Sequence, residues 1–358
     1  MPKLILHIGT HKTGTTAIQT FLEANVAALE QRGIDFPIFD VEWPEPVLPN
    51  RNGYFLNRAA LHRVRMDEPL PDKQLAVDCA TKLARRVQGG KVRTVLLSDE
   101  RMWYSGALQA AYWKAVKGVV EHMGFDEVEV IVYLRRQDLF AESLWNQFVK
   151  ATKSTQTLEE YLATPRIKAL CDYYAGVKRL EEVFGKRSIK VAVYERSRMK
   201  NGDAVDDFCQ RIGLPLGAGY ERPPENHTNP RLNNNLVELK RMVNKAPEFQ
   251  QLQNVFGPSF AHAMLADDWT PRTELLPAEA REAFLAKFKK GNKLLAKEYF
   301  AGKQLFKPFK EGEAPQWEFE PQGMLRDAVV VMADMLSRQE KLIRNLEARV
   351  SQLERDRK

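Results

Sequence analysis

The residues best placed to do chemistry stand close to the start of the chain. Gly9-Thr10-His11-Lys12-Thr13-Gly14-Thr15-Thr16 has the Gly-x4-Gly spacing of a phosphate-binding loop. The run before it, KLILHI at 3–8, is short and apolar. After it, Ala17, Ile18, Phe21, Leu22 and Val26 recur at helical spacing. The order is therefore strand, loop, helix. At such a junction backbone amides converge on an anion, and the helix dipole adds favourable potential. Nucleotide triphosphatases carry Lys directly after the second Gly. Here Thr15 stands there, and Lys12 lies two residues before Gly14. Two other readings fit the loop alone. One is a Gly/Thr turn that only starts a helix. The other is a nucleotide kinase using ATP and Mg2+, with Asp99 as the metal ligand.

Two further groups lie at strand ends. VEVIVYL at 128–134 runs into Arg135-Arg136 and then a helical stretch, with Ser143 eight residues after Arg135. A guanidinium gives permanently charged, bidentate contacts to phosphate, and a hydroxyl adds a donor. An Arg pair at a strand end with a surface serine is the plainer explanation. VRTVLLS at 92–98 ends in Ser98, followed by Asp99, Glu100 and Arg101. The carboxyl edge of an open α/β sheet holds the ligand crevice, which makes Glu100 a candidate general base. Its plainer roles are to cap the next helix or to pair with Arg101. His11 is the rival base, because the charge of Lys12 beside it favours a neutral imidazole. His7 lies inside the first strand and reads as core. His62, His122, His227 and His262 have no recognisable setting.

This combination resembles the sulfotransferases that use 3'-phosphoadenosine-5'-phosphosulfate (PAPS). Their loop reads Pro-Lys-Ser/Thr-Gly-Thr-Thr; here it is His11-Lys12-Thr13-Gly14-Thr15-Thr16, with His11 in place of Pro, as in bacterial members. Arg135 and Ser143 match that family's strand-end Arg and the Ser eight residues on. Tyr194-Glu195 in VAVYERSRM, followed by a helix ending in Gly-Leu, is a weaker match. The resemblance covers residues 3–215 and thins from 216 to 310. The family's later Arg-Lys-Gly phosphate contact has only a faint candidate in Lys289, Lys290 and Gly291.

The resemblance implies PAPS as co-substrate, no metal, and transfer of a sulfuryl group to a hydroxyl or amine. For a bacterial-type member the implied acceptor is a carbohydrate or glycan. His11, Lys12, Thr13, Gly14, Thr15 and Thr16 would bind the cofactor's 5' end, and Arg135 and Ser143 its 3'-phosphate. Lys12 would stabilise charge on the bridging oxygen, with Glu100 or His11 as base.

The elements that must hold these groups follow the same α/β pattern. Continuous apolar strands near 3–8, 92–98, 128–134 and 189–194 alternate with helices near 72–87, 107–123, 138–150, 169–184 and 203–212. That predicts a three-layer α/β/α fold with a central parallel sheet. Six prolines in 36–75 interrupt regular structure, leaving an insertion with a short helix near 54–63. Its Trp43, Tyr54 and Phe55, with the region 216–275, would build the acceptor side. Helical patterns recur at 231–245 and 277–300.

The stretch 311–323 is acidic and carries Pro and Gly, as in a linker. Beyond it Leu325, Val329, Met332, Leu336, Gln339, Ile343, Leu346, Val350 and Leu353 alternate four and three apart. That is a heptad seam. It divides the chain into a catalytic domain at 1–310 and an oligomerisation helix at 324–358, which predicts a homo-oligomer, dimer or trimer. A non-catalytic nucleotide-binding assembly protein would show the same features.

Composition sets the outer limits. The 358 residues are 44% hydrophobic and 28% charged, which excludes wholesale disorder. A net charge of +7 suits an anionic ligand without implying nucleic acid. Three scattered cysteines fit a reducing compartment better than a disulfide scaffold or a zinc site. No apolar run reaches the length of a membrane span, and none at the N-terminus suffices for a signal-peptide core. A cytoplasmic chain complete from Met1 is the expectation.

Overall fold

The computed structural model describes residues 2–65, 71–90, 92–152, 154–215, 217, 219–222, 232–246, 259–260, 263, 273–309 and 315–356. The chain divides into two compact units. Met1–Ala141, Thr164–Thr228 and Phe284–Pro308 form the first; Glu142–Ala163, Asn229–Ala283 and Phe309–Lys358 form the second.

In chain order the elements begin with β1 (Lys3–His7), α1 (Thr15–Ala24), α2 (Val26–Gln31), β2 (Ile34–Asp35), α3 (Tyr54–Val64) and α4 (Lys73–Gln88). Next come β3 (Thr94–Ser98), α5 (Arg101–Leu108), α6 (Tyr112–His122), β4 (Glu127–Leu134) and α7 (Gln137–Ala151). They are followed by α8 (Leu158–Leu162), α9 (Pro165–Cys171), α10 (Tyr173–Phe184), β5 (Ile189–Val193), α11 (Ala204–Arg211) and α12 (Asn234–Lys245). Helices Ala278–Ala286, Lys289–Tyr299 and Pro321–Asp356 follow, and short 3-10 helices at Lys186–Ser188, Arg196–Arg198 and Lys200–Gly202 flank β5.

The first unit is built on a parallel sheet in the order β2-β3-β1-β4-β5. Its strands are apolar on both faces because both are covered. On one face Ile5, Leu96, Ile131, Tyr133 and Ala192 pack against Ile18, Phe21 and Leu22 of α1 and Phe208 of α11. On the other, Leu4, Leu6, Leu97, Val132 and Leu134 are equally buried. β1 is central, with His7 in register with Ser98 on one side and Ile131 on the other. The chain leaves β1 toward β2, returns through β3 and crosses to β4. The carboxyl end of β1 is therefore the topological switch point, where such sheets bind ligands.

The expected helices are present, with breaks. The stretch 107–123 is α5 and α6. The stretch 169–184 breaks at Asp172, whose carboxylate accepts from Ala175 N at 3.2 Å and caps α10. The stretch 277–300 breaks near Phe288. The two-residue β2 and the five-residue α8 were not expected.

The second unit buries several polar groups beside its apolar core. Asn244 Nδ2 donates to the carbonyls of Val149, Thr152 and Ser154 at 3.1, 3.3 and 2.8 Å, satisfying the carboxyl end of α7. Arg281, 1% exposed, pairs with Glu274 and lies 3.7 Å from Glu142. The stretch expected as a linker is described from Pro315 on. There Trp317 donates from its backbone to Glu274 O and from Nε1 to Asn235 Oδ1, both at 2.8 Å, and the last helix begins at Pro321. The opening turns of that helix bury Met324, Asp327 and Val331.

Candidate functional site

The loop after β1 is fastened before it turns. Ile8 N and Thr10 N donate to the carbonyls of Ile131 and Tyr133 at 3.0 and 3.1 Å, and Thr10 Oγ1 donates to Tyr133 O at 3.0 Å. Thr13 Oγ1 closes the turn by donating to Thr10 O at 2.5 Å. Lys12 and Gly14 then take left-handed backbones, φ 67° and 74°. Gly14 is also required sterically: a Cβ there would lie 2.9 Å from Ala204 Cβ and 3.0 Å from Tyr194 Cε2. Lys12 carries a Cβ in this conformation at a cost of about 1–2 kcal/mol.

α1 starts at Thr15 with no side-chain cap and no acidic residue in its first turn. Its leading amides are thus left for an anion. Among the described residues Thr15 Oγ1 and His11 Nδ1 are buried without hydrogen-bond partners, while Thr16 is exposed. A loop with orphaned donors at an uncapped helix start fits a phosphate or sulfate group.

Two cations meet at this loop. Arg135 Nη1 donates to Lys12 O at 3.2 Å, and its guanidinium lies over the Tyr194 ring, 6.0 Å from the centroid. Tyr173 holds the Arg135 carbonyl at 2.7 Å. Burial and then the charge of Arg135 pull the Lys12 ammonium below the usual lysine range, with Glu100 opposing. Arg136 is engaged elsewhere, with Asp138 at 2.8 and 2.9 Å. Ser143 lies buried on the part of α7 that belongs to the second unit.

The carboxylates follow β3. Asp99 N donates to His7 O at 3.0 Å, fixing this corner against β1. Glu100 stands at the start of α5 but its side chain does not cap it. Nor does it pair with Arg101, which binds Glu45 at 2.8 Å. Instead Glu100 Oε2 accepts from Gln19 Nε2 at 3.3 Å, and Oε1 lies 3.7 Å from Arg51 Nε. Gln19 also donates to Ser98 Oγ at 3.1 Å, which lies 2.9 Å from His7 Nδ1.

Burial alone would raise the Glu100 pKa. Arg51, His11 and Gln19 outweigh it and hold the carboxyl below its ordinary value. Asp99 moves the other way: burial, with the charge of Glu100, raises it against the pull of Arg51. Burial pushes the His11 imidazole down to about 4, assisted by Arg51, Arg101 and Lys12 against Glu100. Lys12, expected as the cause, is the least of these influences. Near neutrality Glu100 is thus a carboxylate and His11 a neutral imidazole, the form each needs to accept a proton. His7, the expected core residue, is fully buried and also pushed down to about 4.

Arg51 is the residue that sequence reasoning missed. Its Nη2 donates to Asp99 Oδ1 at 2.5 Å. It reaches the site because Asn52 and Gly53 clamp the insertion to the end of β3. Asn52 Nδ2 donates to Leu96 O at 2.9 Å, Asn52 Oδ1 accepts from Ser98 N at 2.8 Å, and Gly53 N donates to Ser98 O at 3.1 Å. A Cβ on Gly53 would sit 3.0 Å from the Ser98 carbonyl carbon. Beside this clamp is a cavity of about 210 Å³ lined by Phe39, Trp43, Leu48, Arg51, Tyr54 and others.

The remaining candidates lie apart. Lys289 and Lys290 are exposed on their helix, and Gly291 is explained by packing, since a Cβ there would lie 3.2 Å from Tyr174 Cβ. His62 pairs with Asp72 at 3.2 Å, and His122 ends α6. His227 and His262 lie outside the described residues. Among the described residues no group of three or more His, Cys, Asp or Glu could hold a metal ion. No described helix is long and apolar enough to cross a membrane.

No family model matches the chain. Over 178 residues it is 27% identical to an uncharacterized protein of Archaeoglobus fulgidus, covering 50% of this chain and 47% of that protein. The chain thus spans about half the length of that relative. The crystal structure of a sulfotransferase from Alicyclobacillus acidocaldarius is similar over 75% of this chain and 97% of its own, with a TM-score of 0.40 and 16% identity. At this level of likeness the functional reading rests on the geometry of the site.

Proposed function

We propose that the chain is a sulfotransferase that moves the sulfuryl group of PAPS to a hydroxyl or amine of an acceptor. The observation that carries the reading is the loop itself. Lys12 is held in a left-handed turn at an uncapped helix start, with Arg135 bonded to its carbonyl. PAPS would supply an activated sulfuryl group. The amides of 13–16 and the Thr15 hydroxyl would hold its 5' end, and Arg135 its 3'-phosphate. The role read for Ser143 rests on its spacing from Arg135.

In the transfer, the acceptor oxygen or nitrogen forms a bond to sulfur while the bond from sulfur to the bridging phosphate oxygen breaks. The electron pair leaves with adenosine 3',5'-bisphosphate, and Lys12 stabilises the charge that builds there. The acceptor's proton passes to Glu100 or His11. The cavity of 38–55, with aromatic walls beside Arg51, supports a carbohydrate acceptor. Three buried free cysteines support a cytoplasmic setting, and the exposed heptad seam supports a homo-oligomer.

The kinase reading needs Asp99 for Mg2+; Arg51 and the Arg101 amide take its Oδ1 and leave only the buried Oδ2 among the described residues. Calorimetry separates the two. The sulfotransferase reading expects adenosine 3',5'-bisphosphate to bind more tightly than ADP without Mg2+, and Arg135→Ala to remove about 1.5–3 kcal/mol of that preference. Equal affinities for the two nucleotides in the wild type would refute it.

The base is assigned by a pair of variants. Glu100→Gln is expected to lower turnover roughly 10²–10⁴-fold with nucleotide affinity retained. If Glu100→Gln stays active and His11→Ala does not, His11 is the base.

A further inference from the structure

The helix Pro321–Asp356 is held by one side only. Met324, Asp327 and Val331 are buried, whereas the apolar seam residues Leu325, Val329, Met332, Leu336, Ile343, Leu346, Val350 and Leu353 are each 52–66% exposed. The seam is therefore uncovered along its whole length, facing away from the buried side in the opening turns. Such a stripe needs a partner.

The pattern within the seam says which partner. The four-three spacing puts Val329, Leu336, Ile343 and Val350 at the a positions of a heptad, and Leu325, Met332, Gln339, Leu346 and Leu353 at d. β-Branched residues fill three of the four a positions, and Leu is the commonest d residue. That division favours two parallel strands over three or four. The flanking charges agree. Glu340, Glu347 and Glu354 all fall at e, and Arg349 falls at g. In a parallel pair each g residue meets the e residue five positions further on in its partner, so Arg349 meets Glu354. Turning one helix over would instead set Arg349 in the otherwise apolar g row of Ala328, Met335 and Leu342 and bring Glu340 near its own copy. Among the described residues neither Arg349 nor Glu354 forms a salt bridge within its own chain. Gln339, the one polar seam residue, would face its own copy only in a parallel, in-register pair, where two amides can bond to each other. Antiparallel packing sets d against a and would press it on an apolar side chain.

We infer that a second copy of this chain covers the seam, and that residues 325–353 form a parallel, in-register, two-stranded coiled coil closed by Arg349–Glu354 pairs on both sides. This stands independently of the reaction proposed above.

The test uses the full-length protein. Val350→Cys places one thiol at an a position, and Ser351→Cys places one on the outer face. Cys79, Cys171 and Cys209 are buried and do not compete. Under mild oxidation Val350→Cys is expected to run almost wholly as a covalent dimer on a non-reducing gel, and Ser351→Cys as a monomer. Light scattering should give twice the chain mass for the wild type. Arg349→Glu should raise the dimer dissociation constant about tenfold, and adding Glu354→Arg should restore it. A monomeric or trimeric wild type, no cross-link at position 350, or no rescue by the double swap would each overturn the inference.

Discussion

Lys12→Ala is expected to lower kcat by roughly 10²–10³-fold while affinity for adenosine 3',5'-bisphosphate changes far less. Three observations set this expectation. The ammonium is partly desolvated, so its charge acts through a low local dielectric. The left-handed backbone at Lys12 sets the direction in which its side chain leaves the loop before any ligand arrives. The amides at the start of α1 and Arg135 would, on the proposed function, remain to hold the desulfated nucleotide. An interaction that strengthens only as charge builds on the leaving oxygen appears in kcat rather than in binding. The pH dependence follows in sign. Burial and Arg135 lower the Lys12 pKa, so activity should fall as pH rises through a value below the usual lysine range. Steady-state kinetics beside calorimetry checks both points. Equal losses in turnover and affinity would assign Lys12 to ground-state binding alone.

Arg51→Leu is expected to cost about 3–5 kcal/mol of stability at neutral pH. Asp99 is fully buried and Glu100 mostly so, and Arg51 is the cation between them. Removing it leaves two adjacent carboxyl groups without their shared counter-charge. The deficit should depend on pH. The Glu100 pKa is depressed in the wild type, so its contribution is present above its unfolded value and lost as pH falls through the folded one. The raised Asp99 pKa means that its ionisation opposes folding above that pKa, an effect Arg51 offsets. Both trends make the variant's deficit largest near neutrality and smaller in acid. Urea unfolding at neutral and acidic pH measures it. A deficit independent of pH would mean that Arg51 acts through packing. Arg51→Lys should fall between, keeping a charge but losing the planar fork.

The parts of this site that are legible in the sequence are those fixed by neighbours in the chain. The glycine spacing, the apolar run before it and the helical period after it belong to one stretch, so strand, loop and helix could all be read. The strand-end positions of Glu100 and Arg135 came from the same alternation. Arg51 could not be read this way. It stands 48 residues before Asp99 in a proline-broken segment, and only the backbone clamp of Asn52 and Gly53 brings the two together. The contact of Arg135 with the Lys12 carbonyl likewise depends on strand pairing. Other misses were local. Thr157 and Glu160 form a capping box for α8, and Thr164-Pro165 opens α9, both signals present in the sequence. The break at Asp172 is a cap placed inside an otherwise continuous helical period.

The clamp at Arg51-Asn52-Gly53 also bears on how this protein could diversify. It anchors the middle of the insertion to β3 through backbone-directed bonds from Asn52 and Gly53 that do not use the side chains of 38–48. That stretch supplies Ile38, Phe39, Trp43 and Leu48 to the cavity wall, with Glu45 tying it to Tyr54 and Arg101. A descendant that kept Glu45 opposite Arg101 could therefore exchange the rest of the wall while the charge balance around Asp99 and Glu100 stayed intact. In that sense the insertion is a replaceable cassette on a fixed foot, where the cavity wall can drift while the clamp to β3 stays in place.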